Sequence, residues 1–76
     1  MNNQRRKAIA DVLNELADLR SRIETIQSDE QDAYDNLPEG IKASERGQKA
    51  EEACSRLDDA VTAFDDLESA LNDAQE

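Results

Sequence analysis

Histidine and tryptophan are absent from this 76-residue chain, which has one cysteine, one proline, one tyrosine, one phenylalanine and two glycines. Each shortage excludes something. Without histidine, a general base working near neutral pH would have to be a shifted carboxylate or lysine. One cysteine makes no internal disulfide, and Cys54, beside an apolar stripe with no imidazole to activate it, reads as a small buried apolar side chain. A phosphate-cradling glycine-rich loop is missing. Asp29-Glu30-Gln31-Asp32 and Asp35 supply oxygens, but on a helical stretch and without the glycine-turned D-x-D-x-D-G spacing of a calcium loop. The expectation is a protein that is not an enzyme and takes no cofactor and no metal. No apolar run approaches the roughly 18–20 residues that span a bilayer. The basic start Arg5-Arg6-Lys7 is not followed by the apolar stretch of a signal peptide. With a lone thiol, that suggests a reducing cytoplasm and no membrane.

The chain is rich in charge and helix formers. Nine basic and 19 acidic residues give a net charge of −10, which opposes direct nucleic-acid binding and favours basic partners. High charge with few aromatics is the composition of disorder, but the periodicity argues otherwise. In the first arm Ile9, Leu16, Ile23 and Leu37 recur on one heptad position and Val12, Leu19, Ile26 and Ala33 on a second, interrupted by Glu30. Leu13, Ala17 and Tyr34 widen the band. In the second arm Ala50, Leu57, Phe64 and Leu71 share one position and Ala53, Ala60, Leu67 and Ala74 the other, flanked by Cys54, Val61, Ala63 and Ala70. Two sustained rows per arm are the signature of helix packed on helix.

Between the arms, Asn36 to Gly47 holds the only proline and both glycines. Pro38 ends the first helix, because the residue before proline avoids the α region. A short turn with Pro38 at its first position follows, and Ser44 caps the second helix. The expectation is one domain, residues 1–76: a helix over about 3–36, an elbow over about 37–43 and a helix over about 44–74. Charge favours folding back. Residues 1–22 carry +2, 23–41 carry −6, 42–56 carry +1 and 57–76 carry −7, so an antiparallel hairpin sets each basic quarter beside an acidic one. A short chain buries little core and calls for a partner. The fold class is therefore all-α, an antiparallel coiled-coil-like hairpin homodimerising into a four-helix bundle. Its hairpin or dimer core is Ile9, Val12, Leu16, Leu19, Ile23, Ile26, Leu57, Val61, Phe64, Leu67 and Leu71.

The elbow Asn36-Leu37-Pro38-Glu39-Gly40, followed by Ser44-Glu45-Arg46-Gly47-Gln48-Lys49-Ala50-Glu51-Glu52-Ala53, resembles a pattern in short acidic helical proteins of bacteriophages and prophages. The resemblance covers about a quarter of the chain. It implies a phage origin and an early, non-virion accessory role, and it transfers no catalytic residue.

Two surfaces are candidates for binding. Asp59, Asp66 and Asp73 form one outer row and Asp58 and Asp65 its neighbour. Seven residues rise ~10.5 Å, so such rows space carboxylates regularly, as a phosphate backbone spaces its charges. Lys42, Arg46 and Lys49 recur at helical spacing at the start of the second arm, where a helix N-terminus with basic side chains holds an anion. The bland readings are a solvated face that keeps a bundle soluble, and charge pairing of the elbow with Asp29, Asp32 and Asp35. Arg5, Arg6 and Lys7 would answer the acidic C-terminal quarter. The leading function is an adaptor or inhibitor that binds a host protein, basic in charge, through a helical surface. The alternatives are a DNA-mimic inhibitor, a structural coiled-coil element and a sponge for a phosphorylated nucleotide signal.

Overall fold

The computed structural model describes residues 1–76 and is all-helical: α1 spans Asn3–Asp35, α2 Glu39–Lys42 and α3 Glu45–Gln75. Helix α1 starts where Asn2, extended at φ −80° and ψ 166°, accepts the Arg5 backbone N–H on its Oδ1 at 2.8 Å. This satisfies one of the four free donors of a helix N-terminus. No glycine or proline then interrupts 33 residues. Asn36 closes the helix in the right-handed region, and no residue adopts a positive φ.

The elbow holds the single turn α2. Pro38 is the N-cap of that turn and not its first helical residue; its carbonyl accepts the Ile41 and Lys42 N–H groups at 2.9 and 3.0 Å. Ser44 occupies the N-cap position of α3 with extended backbone, but its hydroxyl does not cap. It donates to the Ile41 carbonyl instead, because α2 lies within reach and competes for it.

The two glycines differ. A Cβ on Gly40 would meet nothing within 4 Å. Gly47 lies inside α3, not in the elbow, and is buried. A Cβ there would stand 2.5 Å from the Ile41 carbonyl oxygen and closer still to that of Lys42. The last carbonyls of α2 thus rest on the α3 backbone at the one place without a side chain.

Helices α1 and α3 lie side by side and antiparallel in a body 58 × 16 × 12 Å. Arg20 pairs with Asp65, Gln27 with Asp58, and Arg6 with the Gln75 carbonyl at 3.0 Å. The seam is shown by which residues lose exposure. In α1 these are Ile9, Leu13, Leu16, Arg20, Ile23, Gln27, Glu30 and Tyr34, a strict four–three alternation that Leu37 continues. In α3 the matching alternation is Gly47, Ala50, Cys54, Leu57, Val61, Phe64, Glu68, Leu71 and Gln75, with Ala53 and Ala60 half-covered at its margin. Only Gly47 and Cys54 are buried.

Candidate functional site

Each helix carries two adjoining heptad rows toward its neighbour, and their chemistry differs. One margin of the seam holds Arg20 and Gln27 of α1 with Asp58, Asp65 and Glu68 of α3. Arg20 donates from Nε to Glu24 Oε1 at 2.8 Å and from Nη1 toward Asp65, with Glu68 Oε2 at 3.8 Å. Gln27 Nε2 donates to Asp58. Glu68 Oε1 is enclosed and has no partner, so the nearby guanidinium is what compensates that carboxylate.

The opposite margin is apolar. Val12, Leu19 and Ile26 stand three residues after Ile9, Leu16 and Ile23; Leu67 stands three after Phe64. The same offset on two antiparallel helices turns both rows to the same side of the hairpin. These four side chains are exposed, at 45, 42, 56 and 46 % respectively. Of the eleven expected core residues, Ile9, Leu16, Ile23, Leu57, Val61, Phe64 and Leu71 therefore lie in the hairpin seam, and Val12, Leu19, Ile26 and Leu67 lie outside it. The second seam row is instead Leu13, Arg20, Gln27 and Tyr34 on α1, and on α3 Cys54 and Glu68 join the expected Val61. Arg20 and Gln27 were invisible to a reading that followed apolar residues; their strict heptad spacing with Leu13 and Tyr34 was the available signal.

The acidic rows divide as well. Asp58 and Asp65 are engaged across the seam. Asp59, Asp66 and Asp73 are exposed, and Asp59 meets only Arg56 of its own helix at 3.5 Å. The row free of contacts across the seam is thus Asp59, Asp66 and Asp73, shorter than the five aspartates of the sequence pattern.

The basic elbow does not pair with Asp29, Asp32 or Asp35. Lys42 Nζ stands 5.5 Å from the Tyr34 ring centroid and 3.9 Å from Glu39 Oε1. Lys49 pairs with Glu45 at 3.3 Å, one turn away on α3. Lys42 is turned toward the hairpin while Arg46 and Lys49 stay exposed, so the three do not converge on one point. Arg6 does reach the C-terminal quarter, but it meets a main-chain carbonyl rather than a carboxylate. There it supplies the cation that the last turn of α3 lacks and that the helix dipole favours.

Cys54 faces the half-buried Glu30 from across the seam. Burial raises its pKa above the ordinary 9.0, and the charges of Glu30, Asp58 and Asp35 raise it further. The thiol stays protonated and acts as a small apolar group. No group of three or more metal-ligating side chains is assembled, and no helix is long and apolar enough to cross a membrane. Comparison with protein-family models, curated proteins and solved structures produced no match.

Proposed function

We propose that this is a small non-enzymatic accessory protein that self-associates through its apolar margin and binds a basic protein of the bacterial host through its acidic outer row, inhibiting or redirecting it. The observation that carries the reading is the separation of the two surfaces: wet Val12, Leu19, Ile26 and Leu67 on one side, and Asp59, Asp66 and Asp73 exposed along the outside of α3. The phage origin rests on the elbow resemblance alone.

The self-association is a homodimer forming a four-helix bundle. A compact monomer of 8.5 kDa exposes about 4,700 Å², whereas the hairpin exposes 5576 Å². The excess, about 900 Å², is close to the ~800 Å² each partner contributes to a standard interface. Four large apolar side chains at roughly half exposure would be covered in that interface. The outer row, on the side of α3 away from α1, remains accessible in the dimer.

The test uses the purified protein and a host partner recovered with it, then purified separately. Asp59, Asp66 and Asp73 changed together to asparagine should lower affinity at least tenfold with helicity unchanged. The wild-type complex should weaken steeply between 50 and 200 mM salt, as screening shortens the reach of exposed charges to ~8–10 Å. Full affinity in the triple variant, or a salt-insensitive complex, would remove the acidic row from the mechanism. Competition by duplex DNA for the same partner would single out the DNA-mimic form of the same reading.

A further inference from the structure

We infer that the second copy packs with its elbow at the same end, its α3 lying over α1 and its α1 over α3, about a two-fold axis parallel to the helices; this rests on the self-association proposed above. The apolar margins could also meet with the elbows at opposite ends, α1 on α1 and α3 on α3. Both arrangements pair antiparallel helices, so handedness and packing angle do not separate them. The charges that flank the apolar rows do.

Within the hairpin, Arg20 stands level with Asp65 and Gln27 with Asp58. A partner related by an axis along the helices repeats those heights. Leu19 then meets the partner's Leu67, Val12 meets the partner's Ala74, and Ile26 meets the partner's Ala60. On either side of the central leucines a large side chain falls opposite a small one, and next to the elbow Ala33 falls opposite the partner's Ala53, where the helices can approach most closely. The rows overlap along their whole length. The next heptad position outward carries Asp29 on α1 and Arg56 on α3. At these heights Asp29 meets the partner's Arg56, twice by symmetry. The remaining charges of that position on α1, Glu15 and Arg22, meet the partner's Ala70 and Ala63.

With elbows at opposite ends, the register that overlaps the rows completely pairs Leu19 with the partner's Ile26. It also sets Arg22 against the partner's Arg22 and Glu15 against the partner's Asp29. Like charges at such close positions are destabilising. Shifting by one heptad relieves the repulsion but leaves a full heptad of the apolar row wet at each end. Only the same-end arrangement covers all four exposed side chains without opposing like charges.

Gly40 provides a place to measure this, since a side chain there meets nothing within 4 Å. A spin label on Gly40→Cys, with Cys54→Ala removing the native thiol, reports the distance between elbows by dipolar spectroscopy. The same-end dimer should give an intermolecular distance under about 30 Å, three helix diameters at most. The opposite-end dimer would put the labels about 50 Å apart at ~1.5 Å per residue, and that result would overturn the inference while leaving self-association standing. No dipolar modulation, with an 8.5 kDa species in sedimentation, would remove the dimer itself. A charge exchange in the otherwise native chain is the second arm. Arg56→Asp should weaken dimerisation about threefold to tenfold, the size of two partly exposed ion pairs, and adding Asp29→Arg should restore it. Absence of rescue would also refute the same-end arrangement, because with elbows at opposite ends Asp29 and Arg56 never meet.

Discussion

Replacing Gly47 with alanine should destabilise the protein, whereas the same change at Gly40 should stabilise it. Both positions are helical, and by propensity alone each alanine would gain about 0.8–1 kcal/mol. At Gly40 the added methyl enters open space, so most of that gain is realised. At Gly47 the methyl would sit 2.5 Å from the Ile41 carbonyl oxygen and from the Lys42 carbonyl carbon, with the Lys42 oxygen nearer still. Ordinary contact is about an ångström longer, and the obstructing atoms are backbone, so α2 must lift off α3. Overpacking of this kind costs typically 1–3 kcal/mol. The net effect at Gly47 is a loss of up to about 2 kcal/mol, set against a gain of about 0.5–1 kcal/mol at Gly40. A change of 1 kcal/mol moves the melting temperature of a domain this size by roughly 4–8 °C. Thermal unfolding followed by circular dichroism, at one fixed protein concentration, should therefore show the two variants moving in opposite directions. An equal rise for both would refute the close approach of α2 to α3 and return Gly47 to the role of a mere helix breaker.

Two further outcomes follow from burial. Leu19→Asp should abolish dimerisation in sedimentation with helicity largely retained, because Leu19 is exposed in the hairpin, whereas Phe64→Asp should unfold it by leaving an unpaired charge in the seam; equal effects of the two would deny that the chain has separate inner and outer apolar rows. Cys54 should react slowly with a disulfide reagent at pH 7.5. Its folded pKa is raised, so its contribution to stability is fully present below the unfolded value and is lost as pH rises through the folded one; the urea midpoint should accordingly fall above about pH 9 in the native chain and less so in Cys54→Ala.

Much of the architecture could be read in the residues, and the misreadings have physical causes. Pro38 after an unbroken amphipathic run marks the elbow, because proline disfavours helix at the residue before it whatever the tertiary context. The apolar rows are equally visible, but hydrophobic pattern reports that a row is to be covered, not by what. The seam of α1 against α3 accepts Arg20 and Gln27, since partners on the facing helix satisfy them, and it leaves Val12, Leu19 and Ile26 exposed. Gly47 shows the same limit: its place inside the second helix is legible, but that its missing side chain seats the Ile41 and Lys42 carbonyls is not. Asp58 and Asp65 are sequence neighbours of Asp59 and Asp66, yet one helical step turns them from free carboxylates into seam partners.

The bonds across the seam also suggest an order of folding. Gln27 and Asp58 are 31 residues apart, Arg20 and Asp65 are 45, and Arg6 and Gln75 are 69. Each pair, once formed, brings the next within a short loop, so the chain closes from the elbow outward and never meets a long loop-closure penalty at once. Closure that starts at the α2 turn seated on Gly47 would form the Arg6 contact, at the far end, last. Changes at the elbow would then act mainly on the folding rate, and changes at Arg6 mainly on the unfolding rate. The open end is consequently the fraying end, and it is the end that carries the last of the acidic row, at Asp73. A partner that grips Asp73 would hold that end shut, so binding and resistance to unfolding would rise together.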